Sequence, residues 1–406
     1  MSGTGSATAR RSRRARRSAA DRGASSTSEP RIRVCIVAPS LDILGGQAVQ
    51  AQRLLTRLRE VPSLDVAFLP VNPRLPGPLR LLQRVKYVRT VVTSVAYGLS
   101  LLRELRRHDV VHAFSASYTS FLLAPLPAML VAKLYGKTVV LNYRSGEAED
   151  HLSRSRRVAV PAMRLADAIV VPSGYLVDVF GRFGLAARAI FNFVEVERIA
   201  YRARPRPRPV FLSNRNLEPL YNVGGVLRAF ALIQRHVPEA SLIIAGFGSQ
   251  RTELEALVGS FGLRNVEFVG RVPPEAMPAL YDRADVYLNA PDIDNMPNSI
   301  IEAYAAGLPV VTTDAGGIPY IVAHERTGLM VRRGDAEGMA AAAVRLLEEP
   351  GLAATLAANA RAECLAKYVW PAVRGEWERL YAALARPERA LAGAGVQPAV
   401  EQERRA

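Results

Sequence analysis

The stretch Asn289–Gly317, NAPDIDNMPNSIIEAYAAGLPVVTTDAGG, decides the fold. An apolar strand ends near Leu288 and an acidic loop follows. Pro297-Asn298-Ser299 then opens a helix that carries Glu302 and stops at Gly307, before the next apolar strand at Pro309–Thr312. A strand–loop–helix–strand unit of this kind builds a parallel sheet. Its helix N-terminus presents amide groups and a partial positive charge, which suits a phosphate. Seven residues separate Asp294 in the loop from Glu302 just past the first turn, so both carboxylates can face one cleft. An ionised carboxylate has acceptor sites for several sugar hydroxyls.

The same alternation runs outward in both directions. Upstream, Ile32–Ala38 reads as a buried strand, Pro39–Gly46 as a loop and Gln47–Arg59 as a helix. Further strands are expected at Asp65–Leu69, Val110–Phe114, Thr138–Leu141 and Ala168–Val171. Tyr201–Pro209 (YRARPRPRP) can continue neither helix nor central strand and reads as a linker. Beyond it, strands at Val210–Ser213, Leu242–Ala245, Val266–Phe268 and Val286–Leu288 alternate with helices, and three helical stretches close the chain. Continuously apolar strands joined by helices indicate parallel sheets covered on both faces. The expectation is an α/β chain of two Rossmann-like domains in tandem. Its parts are a basic tail over 1–29, a first domain over 30–200 and a linker over 201–209. A second domain over 210–366, a C-terminal helix over 367–385 and a loose tail over 386–406 complete it.

Composition narrows the function. Of 406 residues, 49% are hydrophobic and 22% charged, as in ordinary globular proteins. The net charge of +16 is almost all arginine, with only Lys86, Lys133, Lys137 and Lys367 as lysines. Seven arginines against Asp21 and Glu29 sit in residues 1–29, too polar to bury a core and without the apolar stretch of a signal peptide. No nucleic-acid-binding motif accompanies the charge, so nucleic acid is not expected as a partner. Cys35 and Cys364 are far apart and form neither a disulfide framework nor a metal spacing, which favours a cytoplasmic protein.

Two apolar stretches bear on membranes. Val110–Ala132 is long enough to span but contains His112, Pro125 and Pro127, and divides into strand, loop and helix. Thr90–Leu102 is too short to span. It lies between Arg80, Arg84, Lys86 and Arg89 on one side and Arg103, Arg106 and Arg107 on the other. It reads either as a basic amphipathic helix lying in an anionic headgroup region, or as a surface helix packed on the sheet.

Once these motifs are assembled, the chain resembles the retaining glycosyltransferases of the GT-B fold, specifically glycosyltransferase family four. The family's Glu-x7-Glu stands here as Asp294-x7-Glu302. It is followed by Ala303, Gly307 and Pro309-Val310-Val311, then Thr313-Asp314-Ala315-Gly316-Gly317-Ile318-Pro319 and Thr327-Gly328-Leu329. The likeness extends to Gly45-Gly46, Asp109–His112, Asn192, Arg215, Ala245-Gly246 and Trp370, over most of residues 32–385.

The resemblance implies two domains facing across a cleft, with the last helix crossing back to the first domain. It implies transfer of a sugar from a nucleotide-diphosphate sugar to an acceptor hydroxyl, with retention and no obligatory metal or other cofactor. Glu302 would hold the ribose diol and Asp294 the donor-sugar hydroxyls. Asn298 and Ser299 would offer amides to the diphosphate, and Arg215 would stabilise it as it leaves. Gly45, Gly46 and Gly246 would allow close approach of the donor. His112 would stand with the catalytic residues, or be a satisfied core histidine. Arg144 and Glu147, in the polar run Asn142–His151, would face the acceptor, or belong to a solvated loop. Trp370 and Trp377 read as packing anchors.

The setting implied is cell-surface or extracellular polysaccharide assembly on a lipid-linked or glycan acceptor at the inner face of the membrane. Several positions depart from the family pattern. A lysine usual five residues after the arginine is Leu220 here, so one diphosphate contact is either missing or supplied elsewhere, by Arg144 or Arg271. The first acid is Asp, and the second histidine of His-x-His is Phe114. These departures keep open a catalytically decayed nucleotide-sugar-binding scaffold and, more remotely, a sugar-nucleotide epimerase. Asp292-Ile293-Asp294 spells a metal motif of another fold, but lies inside the acid-x7-Glu frame.

Overall fold

In the computed structural model, which describes residues 30–40, 46–75, 77 and 85–385, the chain from Ile32 onward forms a single contact unit holding two parallel sheets. The expected tails over 1–29 and 386–406, Gly45, Arg80 and Arg84 lie outside the described residues. The first sheet has strands β1 (Ile32–Ala38), β2 (Leu64–Pro70), β3 (Val110–Ser115), β4 (Thr138–Tyr143), β5 (Ala168–Val171) and β6 (Ala187–Ala189), in the order β2-β1-β3-β4-β5-β6. The second has β7 (Val210–Ser213), β8 (Ser241–Ala245), β9 (Val266–Gly270), β10 (Val286–Asn289), β11 (Val310–Thr313) and β12 (Leu329–Val331), in the order β12-β11-β10-β7-β8-β9.

Strands such as β3, β10 and β11 are buried at every position because helices cover both faces of each sheet. The helix starts have local causes. Asn222, in a left-handed conformation, accepts a hydrogen bond from the Gly225 amide at 3.0 Å, and Asp335 accepts one from Gly338 at 2.7 Å. The helix Asn298–Ala306 ends on Gly307 at φ +74°, where a Cβ would lie 2.7 Å from the Arg202 carbonyl oxygen. β6 and β12, not expected from sequence, are three-residue edge strands too short to show a period.

From Pro125 the chain forms a ten-residue helix, Pro125–Leu134, that buries Ala128, Met129 and Ala132 on one face and leaves Leu130 and Leu134 exposed, too short for a span. Among the described residues no helix is long and apolar enough to cross a membrane. The closing helix, Trp370–Ala385, packs Trp370, Val373, Trp377, Leu380 and Tyr381 with Val34, Ile36, Phe114 and Val140 of the first sheet. The two tryptophans anchor that crossing.

The run Tyr201–Pro209 is no loose connector. Arg202, Arg208 and the fully buried Arg204 converge on Asp285, at 2.6, 2.9 and 3.6 Å. Arg204 also donates to the carbonyls of Ala284, Ala306 and Tyr281. Burial works to raise the Asp285 pKa, but hydrogen bonds from Arg208 and Arg202 outweigh it and lower it to about 2. A depressed carboxylate contributes stability that is fully present above its unfolded pKa of ~4 and is lost as pH falls through the folded value. Asp285→Asn should therefore cost roughly 3–5 kcal/mol at neutral pH by leaving Arg204 buried without its counter-charge. Urea melts across pH 2–5 should show a flatter stability profile in the variant than in the wild type.

Candidate functional site

Between the sheets lies a cleft of about 650 Å³. In the second sheet the strand order reverses between β7 and β10, so the loops leaving these two strands splay apart at their carboxyl ends. Arg215 follows β7 and Asp294 follows β10, and both line the cleft. The Arg215 guanidinium donates to Asp294 Oδ2 at 2.5 Å and to Ser299 Oγ at 3.1 Å, and stacks over the Tyr221 ring with its carbon 4.2 Å from the centroid. Burial works against its charge, but Asp294 leads the groups that hold its pKa above the ordinary value. Its Nε is buried without a partner.

The helix Asn298–Ala306 starts at the cleft, and its first turn places Asn298, Ser299 and Glu302 along the wall. An α-helix leaves its first amides without internal partners, so this start can receive an anion. Glu302 accepts from the Tyr281 hydroxyl at 2.8 Å, which accepts in turn from Asn214 Nδ2 at 2.6 Å. Its other oxygen accepts from Arg53 Nη2 at 2.8 Å.

Glycines set the backbone around these acids. Gly246, at φ +155°, passes so close to β7's exit that a Cβ would lie 2.0 Å from the Arg215 carbonyl oxygen. Gly316, at φ +52°, would place one 2.1 Å from that of Asp294, and the Gly317 amide donates to this same oxygen at 3.1 Å. The first half of the chain also touches the acidic loop. Asn192 donates to the Met296 carbonyl at 3.1 Å and to Asn298 Oδ1 at 2.8 Å, and Ser173 bonds the Asn295 side chain. Gly146 abuts the Asp294 backbone.

Of the residues singled out in the sequence, Arg215, Gly246, Asp294, Asn298, Ser299, Glu302, Arg144 and Glu147 line this one cleft. Gly46 opens the helix Gly46–Arg59, two turns before Arg53, which lines the cleft.

His112 requires a correction, for it lies in the core and not at the cleft. It is fully buried, with Nδ1 on the Tyr381 hydroxyl at 2.7 Å and Nε2 on Asn142 at 2.9 Å, and it stacks between Phe114 and Trp377. Burial pushes its pKa down to about 3, with Arg144 adding to the effect. Phe114 carries Arg144 above its ring at 5.5 Å. Leu220, at the expected lysine, lines the cleft and holds the acidic loop by its carbonyl, which accepts from Asp292 and Ile293. Arg271 also lines the cleft, stacked on Phe247 at 3.8 Å.

Sequence reasoning missed Arg53, Tyr221 and Tyr281. An acid such as Glu302 signals that a partner must exist, but the partner arrives from 249 positions away. No local pattern marks it.

Comparison with known proteins places this geometry. Residues 197–363 match the sequence family Glycosyl transferases group 1. The chain is 30% identical over 298 residues to a glycogen synthase of Mycobacterium tuberculosis, covering 70% of each protein. The chain belongs to the group 1 glycosyltransferases. It is therefore an enzyme of glycosyl transfer.

This glycosyltransferase is also 28% identical over 333 residues to a GDP-mannose-dependent alpha-(1-6)-phosphatidylinositol monomannoside mannosyltransferase of M. tuberculosis, covering 78% of this chain and 81% of the relative. Among solved structures it resembles Anabaena HepE in complex with UDP. That match has TM-score 0.70 and 17% identity, with 87% of this chain and 100% of that one covered. Sucrose-phosphate synthase from Thermosynechococcus elongatus matches at TM-score 0.67 and 20% identity, over 89% of this chain and 100% of the other. These likenesses give the glycosyltransferase the GT-B arrangement of two facing Rossmann-like sheets.

A Cβ at Gly316 would force the Asp294 carbonyl away in a backbone region that favours glycine. Gly316→Ala should cost about 1–3 kcal/mol in chemical denaturation. It should also lower glycosyl transfer, whereas Gly259→Ala, where a Cβ meets nothing within 4 Å, should do neither.

Proposed function

We propose that this glycosyltransferase moves a sugar from a nucleotide-diphosphate sugar to the hydroxyl of a lipid-linked or glycan acceptor, with retention of configuration and without an obligatory metal. One observation carries the reading. Arg215, Asp294, Ser299 and Glu302 meet at a helix start on the strand-order switch of the second sheet. Glu302 holds the ribose diol, Asp294 the donor-sugar hydroxyls, and Asn298 and Ser299 present amides to the diphosphate. Gly246 leaves room for the donor beside Arg215. The UDP complex of HepE and the GDP-mannose dependence of the mannosyltransferase relative support a nucleotide-sugar donor.

In the transfer, the bond from the anomeric carbon to the departing phosphate oxygen breaks as the acceptor oxygen attacks from the same face. The proton of the acceptor hydroxyl passes to the departing oxygen. Arg215 offsets the charge left on the diphosphate, a charge-assisted contact worth ~1.5–3 kcal/mol. This assignment gives the leaving-group charge to an arginine and helix amides. Asp292 and Asp294 take different partners, Asn222 and Arg215, instead of converging on one point. Arg144 and Glu147 face the acceptor from the first half.

The helix Lys86–Glu104 supports a membrane setting for the acceptor. Tyr97 and Leu101 bury its inner face, while Val88, Val91, Val95, Leu99 and Leu102 form an exposed row at helical spacing. Arg89, Arg103, Arg106 and Arg107 border the row as exposed cations. An apolar stripe edged by arginine fits an anionic bilayer surface, where apolar burial and charge attraction add. The enzyme would then work at the inner face of the membrane, in cell-surface or extracellular polysaccharide or glycolipid assembly. The decayed-scaffold alternative has no observation in its favour within this cleft.

Thermal shift against UDP, GDP, ADP and dTDP in EDTA should reveal one stabilising nucleotide, with about 2.7 kcal/mol at a hundredfold excess over Kd. Arg215→Ala should abolish that response. Asp294→Ala and Glu302→Ala should each reduce transfer roughly 10- to 100-fold while the fold persists. Wild-type turnover in both would remove the site assignment. Sedimentation with anionic vesicles should capture the enzyme at low salt and release it at high salt, and Val91→Glu with Val95→Glu should abolish capture.

A further inference from the structure

Arg53 sits two turns into the helix Gly46–Arg59, whose buried face packs Ala51, Leu54, Leu55 and Leu58 against the first sheet. Its side chain leaves that half of the molecule. It crosses the cleft and donates from Nη2 to Glu302 Oε1 at 2.8 Å, on the helix Asn298–Ala306 of the second half. The pair is largely desolvated, with side-chain exposures of 14% and 13%. At such a depth a charge-assisted bond is stronger than on the surface. A second guanidinium nitrogen, Nη1, is buried with no partner.

An ionised carboxylate has about four acceptor sites. Arg53 takes one at Oε1 and the Tyr281 hydroxyl takes one at Oε2. About two sites are left, the number that a ribose diol needs. Arg53 is thus compatible with a bound ribose, and with Tyr281 it fixes the direction in which Glu302 offers its free lone pairs. A buried, unpartnered donor such as Nη1 favours whatever acceptor enters beside it.

We propose that Arg53 is a positioning residue that clamps Glu302 across the cleft and so couples donor capture to closure of the two halves. The coupling rests on the reading of Glu302 as the ribose-binding acid. Because the partners belong to different halves, the bond exists only when the cleft is closed. Any ligand that needs Glu302 oriented then binds the closed form better, and binding and closure reinforce each other.

The experiment uses the full chain as wild type, Arg53→Ala, Arg53→Lys, Glu302→Gln and the double variant R53A/E302Q. Small-angle scattering reads closure with and without nucleotide, and calorimetry reads affinity for UDP, GDP, ADP and dTDP. R53A should give a larger radius of gyration in the free protein. It should weaken the binding nucleotide roughly tenfold or more, and raise donor KM by a similar factor with less change in kcat. Lysine at 53 should recover much of the affinity, and the double variant should bind no more weakly than E302Q alone. A protein in which Arg53 only stabilised the fold would melt lower with nucleotide affinity unchanged. That result, or equal radii for wild type and R53A, overturns the clamp. A wild type that binds none of the four nucleotides overturns the ribose reading, and the scattering comparison then judges the clamp alone.

Discussion

A carboxylate held away from water must be met by a cation or by several donors, and this requirement organises the second half of the molecule. Three largely buried acids there, Asp285, Asp294 and Glu302, are each met by arginine from a different part of the chain. Asp285, at the foot of β10, collects Arg202, Arg204 and Arg208 from the segment entering the sheet. Asp294, past the top of the same strand, takes Arg215 from the exit of β7. Glu302, one helix further, takes Arg53 from the opposite half. The pairs run from a point that fixes how the chain enters the domain, through the wall of the cleft, to a point that joins the two halves. The arginine excess is thus partly structural, and the +16 charge overstates how much free positive surface the fold presents.

The second constraint is backbone clearance. A cleft at a strand-order switch is wide only if the loops leaving the two central strands fold back tightly. Gly246 beside Arg215 and Gly316-Gly317 beside Asp294 and Asn295 achieve this, at approaches that no side chain could share. The acids are therefore held by main chain as well as by their ion pairs. Asn192 and Ser173 then grip the same loop from the first half.

Much of this was legible in the sequence because it is local. The acid-x7-acid spacing, the Pro297 start and the glycines around 316 each have a short-range physical meaning; the structure brings Asp294, Pro297 and Glu302 to one cleft and packs Gly316 and Gly317 against the backbone of the acidic loop. The apolar strands were legible because burial on both faces leaves room for few polar residues, such as His112 and Asn142, each held by hydrogen bonds. What escaped was non-local or too short. β6 and β12 have three residues each, too few for any period. Tyr201–Pro209 read as a linker because prolines exclude helix and sheet, but nothing in it announces Asp285 some eighty positions on. Arg53 was one arginine among many until the fold laid it against Glu302.

His112 illustrates how a motif can survive while its chemistry moves. The His-x-His pattern invites a titrating group, yet here the second position is Phe114 and the first is sealed beneath it, against Trp377 and Tyr381 of the closing helix. With its pKa near 3, His112 stays neutral throughout the physiological range and acts as a fixed hydrogen-bonding strut to Asn142. Asn142 in turn accepts from Arg144, the side chain that does reach the cleft. Among the described residues lining that cleft there is no histidine. What the first half presents along this path is a braced guanidinium, a group that orients and attracts but does not take a proton. Under the proposed transfer, in which the acceptor proton leaves with the departing phosphate oxygen, this path would supply placed charge beside the carboxylates of Glu147, Asp294 and Glu302 that line the same cleft.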